Sequence, residues 1–514
     1  MNAHILTAII SIPLLGALVV LCIPKEKEKL IRWWSIAISL IPLVLSIFVC
    51  ARVQTAPGQM WFQEEYAWIP AISVYYRVGV DGLSAVMLLL TAILSTLSYF
   101  YSAHTIKVRV KEYYFLFLLL EMGMFGVFIS LDLILFYVFW EIGLVPMYLL
   151  IGVWGGERRI YAAIKFFLYT LVGSVALLLA ILGVYFQTGT FSIVDVAAAH
   201  PFADNFSSAA LAFWGFFLGF AIKVPSFPFH TWLPDAHTEA PTAGSVVLAG
   251  VLLKLGAYGF IRIVLPFFPQ VFSFYANSMP IIPILAVISI VYGALVCMAQ
   301  WDLKRLIAYS SVSHMGYVML GVSAAAASLA LGSQDEALQS SAATALNGAA
   351  LQMFTHGIIT GGLFFLVGII YERAHTRDLR AFGGLASKIP YYYGIMMVTG
   401  FASLGLPGLA GFWSEFFVFR GAFHIIPIFA CIGIMGMVLT AAYILWKIVQ
   451  HMFLGEFSQA KWDEVTHHSP LFDMTWWEKG TMWPLVAIMV LIGLYPSVIV
   501  VLLNGAMTAL LEHI

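Results

Sequence analysis

Apolar blocks about twenty residues long, parted by short polar stretches, recur from one end of this chain to the other. A helix crossing a bilayer needs about 20 such residues, since about 30 Å of hydrocarbon must be spanned at about 1.5 Å per residue. Read this way, the 514-residue chain holds about fourteen crossings, over 3–23, 33–51, 79–102, 112–131, 133–152, 160–186, 208–232, 241–265, 278–300, 304–325, 343–371, 391–421, 424–453 and 482–510. With 62% hydrophobic and 10% charged residues, the chain lacks the polar surface to face water on all sides. The expected fold is an all-α polytopic membrane protein with lipid as its main solvent. A net charge of -1 provides no basic excess for nucleic acid. Cys22, Cys50, Cys297 and Cys431 stand singly in apolar runs, which points neither to a disulfide framework nor to a thiolate-held metal. Lys25, Lys27, Lys29 and Arg32 follow the first apolar block instead of preceding it, so it reads as a retained helix and not a signal peptide.

Short loops on the cytoplasmic side collect Lys and Arg. Loops after odd-numbered crossings carry those four residues, then Lys107, Arg109 and Lys111, then Arg158 and Arg159, then Lys304 and Arg305, then Arg373, Arg377, Arg380 and Lys388. Loops after even-numbered crossings carry Arg52, Arg77, Arg262 and Arg420. The odd loops are therefore expected to be cytoplasmic and both termini outside. The segments 187–207 and 326–340, rich in Ala, Ser and Gly, read as short outer caps.

Two crossings carry helix breakers at mid-membrane. Pro225 and Pro228 follow Lys223, and about 180 residues on, Pro407 stands among Gly405, Gly408 and Gly411. Interrupted segments in corresponding positions of two half-bundles point to repeat architecture with an ion path between the halves.

An ionised side chain at a helix centre costs about 2.5–3.5 kcal/mol on insertion scales. The apolar blocks hold Glu121, Glu141, Lys223, Lys254 and Glu415. Unpaired, these five would cost roughly 12–17 kcal/mol, as much as the whole net stability of an ordinary fold. They must be paired, hydrated or neutral part of the time. An ion pair between Glu141 and Lys223 that opens and closes would act as a proton switch. His230, His314 and His356 lie in or at the ends of the blocks, where imidazole can relay protons near neutral pH. His237 follows Asp235 at what reads as a membrane edge, and His467 and His468 fall in a polar, solvated segment. His230 and His237 lack the companions a metal needs, and no phosphate-binding glycine motif is present. No cofactor or metal is expected in this chain.

The runs GVDGLS (79–84), LFYVFWEIGLVPMYLLIGVWGG (135–156), KVPSFPFHTWLPDAHTEAPTAGSVVLAGVLLKLGAYG (223–259), DLKRLIAYSSVSHMGYVMLG (302–321), FTHGIITGGLFFLVG (354–368) and SLGLPGLAGFWSEF (403–416) resemble the antiporter-like membrane subunits of proton-pumping NADH:quinone oxidoreductase, respiratory complex I, of the subunit M or chain 4 type. The resemblance covers most of the chain. It implies two inverted five-helix repeats, each with a broken helix: 1–111 the first three helices, 112–265 the first repeat, 278–453 the second, and 454–514 a polar segment with the last helix. It further implies that Glu141 and Lys223 are the paired fifth- and seventh-helix residues and that Lys254 passes protons between the halves. Glu415 would be the acid toward the outer exit, with His314 and His356 on the hydrated axis and His230 and Glu121 as relays. FMN, iron-sulfur clusters and quinone would reside in other subunits of a hetero-oligomeric complex, beside neighbouring antiporter-like subunits in a bacterial inner membrane. Mrp-type sodium/proton antiporters and membrane-bound hydrogenases share much of the pattern and rank second. Ser226, Trp413, Ser414 and Arg420 depart from the pattern of the family.

Overall fold

The computed structural model describes residues 4–331, 335–466 and 468–514. Among them, thirteen helices are long and apolar enough to cross a bilayer. They are α1 (Ile5–Cys22), α2 (Glu28–Val53), α3 (Gly82–Thr105), α4 (Val110–Ile129), α5 (Leu133–Trp154), α6 (Arg159–Thr188), α7 (Phe206–Lys223), α9 (Thr242–Phe267), α10 (Ile281–Ala299), α11 (Leu303–Leu331), α12 (Glu336–Ala374), α15 (Pro427–Phe453) and α16 (Trp476–Leu494). The remaining crossing is made in two pieces, α13 (Pro390–Ser403) and α14 (Ala410–Ile425), each short of a bilayer. The seventh is broken too: α7 stops at Lys223 and α8 (Trp232–Glu239) resumes after the Pro225–Pro228 stretch. Both breaks fall where the prolines forbid continuous hydrogen bonding. Gly405 and Gly408 carry φ of 75° and 92°, a left-handed backbone open to them because they lack a Cβ.

Helices α9 and α12 form the spine, with every residue of their most apolar windows buried. Asp81 and Asp132 cap the N-termini of α3 and α5, accepting from Ser84 N and from Ile134 N and Leu135 N. In α9 the α-helical bonding is twice replaced by π turns, over Leu248–Leu252 and Phe260–Val264.

Two features differ from the sequence reading. Between α2 and α3 lies an antiparallel hairpin, β1 (Trp61–Ile69) and β2 (Val74–Val80), so the third crossing begins three residues later than the apolar pattern indicates. Glu64 turns inward there and accepts from Thr7 N and Thr7 Oγ1 at 3.2 and 2.6 Å. The Arg77 guanidinium, 2.8 Å from Glu65, holds that exposed carboxyl below the usual carboxylate range. The second difference is at the far end. The apolar block 482–510 is two helices, α16 and α17 (Ser497–Glu512), with Pro496 between them. Gly493, near the end of α16, abuts the Gly408 carbonyl at the second break, and its own carbonyl accepts from Trp413 Nε1 at 2.8 Å. From there α17 passes Gly82 and reaches Pro57 and Gly58 beside the hairpin. Both described chain ends therefore lie on one face, since His4 also meets Glu64.

On the opposite face α12 and α16 are tied by a buried two-pronged pair, with Arg373 Nη1 and Nη2 donating to Glu478 Oε1 and Oε2 at 2.8 Å each. The guanidinium also donates to the Phe472 and Asp473 carbonyls at 2.8 and 3.2 Å. Removing one partner strands a buried charge. Arg373→Met is therefore expected to destabilise the chain by about 3–5 kcal/mol, while the double change with Glu478→Met recovers most of the loss. Thermal unfolding of the assembled protein checks this, and equal midpoints for the single and double variants would contradict it.

Candidate functional site

Lys254 sits in α9 just beyond the first π turn and is wholly buried. Its ammonium donates backward to the Ala249 carbonyl inside that turn and to His356 Nδ1 on α12, 2.8 Å away. An ammonium only donates, so His356 Nδ1 accepts and the remaining ring proton belongs on Nε2, which has no protein partner among the described residues. The His356 and His314 rings follow at 5.6 Å between centroids. His314 Nδ1, on α11, lies 3.3 Å from Glu415 Oε1 on α14. Gln352 Nε2 and Ser403 Oγ flank the His314 ring at 3.4 and 3.3 Å. Ser414 Oγ donates to Gln352 Oε1 and meets Thr355 Oγ1 at 3.0 Å.

A cavity of about 10 Å³ opens between His314, Gln352, His356, Ser403 and Glu415, just enough for one water. Glu415 Oε2 is buried without a protein partner among the described residues. The α13–α14 break places Ser403 and Glu415 on either side of this cavity, which an unbroken helix would close with backbone. Four of the expected residues thus form a continuous buried series: Lys254, His356, His314 and Glu415.

Glu141 and Lys223 are neighbours without touching. Among the described residues no carboxylate comes within 4.0 Å of the Lys223 ammonium, which lies 5.2 Å from the Trp140 ring centroid and 5.8 Å from that of Phe166. Trp140 precedes Glu141 on α5, and its Nε1 donates to Ser174 Oγ at 3.0 Å, which fixes the indole beside the lysine. Glu141 is the carboxylate whose field reaches Lys223, and its Oε1 is buried without a partner. The expected ion pair is open in this structure. Glu121 accepts from Tyr99 Oη at 2.9 Å and its other oxygen has no partner. His230 occupies the α7–α8 break, 5.2 Å from the Tyr292 ring, with Nδ1 unpartnered. Neither is in direct contact with the series.

The structure also gathers charges that the sequence reading passed over or placed in loops. His237 is buried, stacked on Phe364 at 4.6 Å, with neither ring nitrogen paired. Lys304 is buried and donates to the Ala240 carbonyl. Asp235 receives Lys165 at 2.7 Å and Arg305 at 3.3 Å. Arg262, in the second π turn, pairs with Asp81. Lys165, Arg262 and Lys447 all lie inside apolar blocks, so the signal that singled out Lys254 was present for them as well. His468 faces Asp463 at 3.8 Å on the surface, and His467 lies outside the described residues. Among the described residues no three His, Cys, Asp or Glu gather as a metal-holding set.

The family described as NADH:quinone oxidoreductase/Mrp antiporter, TM matches residues 130–440, which include Glu141, Lys223 and the buried series from Lys254 to Glu415. The chain is 41% identical over 525 residues to the NADH-quinone oxidoreductase subunit M of Rhodobacter capsulatus, covering 99% of this chain and 97% of the relative. It is 37% identical to the NADH-ubiquinone oxidoreductase chain 4 of Marchantia polymorpha, with the same coverage of 99% and 97%. Among solved structures, a chain of respiratory complex I from Thermus thermophilus with bound NADH superposes with a TM-score of 0.84 at 31% identity, covering 99% of this chain and 100% of that one. A chain of the Mrp complex from a Dietzia species reaches 0.83 at 21% identity, covering 99% and 98%, which is a likeness of fold. The continuity of the buried series and the full-length identity to subunit M and chain 4 sequences agree, and the chain belongs to the subunit M family of NADH-quinone oxidoreductase.

Proposed function

We propose that this chain is a proton-translocating membrane subunit of complex I that carries protons along Glu141, Lys223, Lys254, His356, His314 and Glu415 and catalyses no electron transfer itself. The observation that carries the reading is the contact series from Lys254 to Glu415, four titratable side chains on four helices spaced for proton hops through at most one water. Broken helices at Lys223 and near Glu415 supply the irregular, hydratable backbone that membrane ion paths use. In this reading 112–265 and 278–453 are the two inverted repeats, Lys254 joins them, and His230 and Glu121 serve the first. FMN, iron-sulfur clusters and quinone belong to other subunits, and neighbouring antiporter-like subunits flank this one in the inner membrane of a bacterium. The face holding both chain ends is outside, because the opposite face carries Arg305, Arg377 and Arg380.

His356→Phe keeps the ring volume and removes the middle link. In the assembled complex in sealed vesicles, NADH oxidation is expected to continue while proton transfer per NADH falls clearly below that of the parent. Undiminished transfer would place the route elsewhere. Transfer should also persist in sodium-free medium, and a strict sodium requirement would favour the antiporter reading.

A further inference from the structure

A buried ammonium with no carboxylate against it needs some other source of negative potential, and Lys223 finds one in aromatic rings. Among the described residues no hydrogen-bond acceptor reaches its ammonium, which lies over the Trp140 ring at 5.2 Å and the Phe166 ring at 5.8 Å from the centroids. Both distances fall within the roughly 6 Å over which the negative face of a ring attracts a cation, an attraction that grows when water is excluded. Water is largely excluded here, since Lys223, Trp140 and Phe166 are all buried.

The two rings are fixed by their own neighbours. Trp140 Nε1 donates to Ser174 Oγ on α6 at 3.0 Å, so the indole spends its proton away from the lysine. Phe136, one turn earlier on α5, stacks on Trp140 at 5.9 Å, and Phe220, nearly one turn before Lys223 on α7, meets it edge-on at 5.6 Å. Phe166 packs on Trp232 of α8 at 5.4 Å. Trp232 Nε1 donates at 3.0 Å to the Ile222 carbonyl, whose usual helical partner, Ser226 N, turns to the Ala221 carbonyl at the break. The backbone just before Lys223 is thereby tied across the break, while the rings facing its ammonium are held by α5 and α6. Apolar packing alone would be met by aliphatic side chains. A latched ring face turned to an unpaired ammonium is the arrangement by which proteins recognise ammonium groups. Glu141 follows Trp140 directly, about 100° further round α5, and its Oε1 is buried without a partner. Successive residues of one helix thus offer the same lysine a ring face and a carboxylate.

We propose that Trp140 is a positioning residue that seats the Lys223 ammonium whenever its pair with Glu141 opens, so that ring and carboxylate compete for one cation. The idea rests on the proton-carrying reading above. The seat keeps the open state populated, where without it the lysine would fall back to Glu141 before a proton had moved on toward Lys254.

The experiment places Trp140→Leu, and separately tetrafluorotryptophan at position 140, in the assembled complex. Leu keeps apolar bulk and loses the ring, whereas fluorination draws charge off the ring face and hardly alters its size. Electron cryo-microscopy reads the lysine as the occupancy of its two positions. Both changes are expected to bring Lys223 into ion-pair contact with Glu141, lowering the ratio of open to closed pairs about tenfold, as loss of about 1.4 kcal/mol would give. A lysine still clear of Glu141 in both variants overturns the seat. Closure with Leu but not with the fluorinated ring shows that the indole acts by bulk and overturns it as well. Should Trp140→Leu fail to assemble, the fluorinated ring decides alone. Where the pair closes, proton transfer per NADH in sealed vesicles should fall toward that of Glu141→Gln. Closure with undiminished transfer would leave the seat standing and count against the relay.

Discussion

Glu141→Gln is expected to nearly abolish coupled proton transfer through this subunit while leaving the complex assembled. Gln keeps the volume and one carbonyl oxygen but cannot carry the charge that draws Lys223 back. In the structure the pair is open, with the Trp140 indole beside the lysine. Moving one elementary charge against a 100 mV potential takes about 2.3 kcal/mol, on the scale of opening a partly hydrated ion pair, so a few kcal/mol of conformational work is enough to drive the step. Glu141→Asp should retain part of the transfer, because the charge survives and only its reach shortens. The comparison is made on proton transfer per NADH oxidised in sealed vesicles, with assembly read from the intact complex. Full pumping in the Gln variant would show the acid to be structural.

Lys254→Met is expected to be as severe for a different reason. The lysine hydrogen-bonds α9 to the His356–His314–Glu415 series, so its loss cuts the relay between its halves. Met matches its length and suits a wholly buried site, where it removes an ion that is costly to bury and leaves the fold no less stable. Assembly and thermal stability should therefore hold while coupled transfer is mostly lost. A chain acting only as a scaffold between pumping neighbours would keep both, and that outcome would retire the relay.

Much of the architecture was legible because lipid imposes a length on every crossing and because prolines and glycines mark both breaks. The candidate acids and bases were legible for the same reason, since a charge inside an apolar block is conspicuous. Their partners were not. Lys254 meets a histidine 102 positions away, Arg373 a glutamate 105 away and Arg262 an aspartate 181 away, and spacing along a chain carries no record of such contacts. Arg262 and Arg373 read as loop residues because they lie near block edges, where the structure instead buries them under carbonyls and carboxylates. The hairpin at 61–80 escaped because its Trp, Tyr and Val residues, broken by Glu and Arg, are too short a run to register as a crossing. Whether the switchable Glu141–Lys223 pair stands open or closed depends on a side-chain state, which composition does not encode.

The π turns of α9 make one stretch of the protein sensitive to counting as well as to chemistry. A π turn holds one residue more than an α turn. Deleting a single residue within Leu248–Leu252 would let the helix relax to regular α geometry with the residues beyond it at nearly their present angle, whereas a second deletion, with no extra residue left to absorb it, would rotate everything beyond by about 100°. Lys254 would then swing off the face that meets His356, and Arg262 would leave Asp81, although no functional side chain had been changed. Over these few positions the number of residues matters more than their identity, so substitutions of similar size and the loss of one residue should be absorbed there while insertions and longer deletions should not.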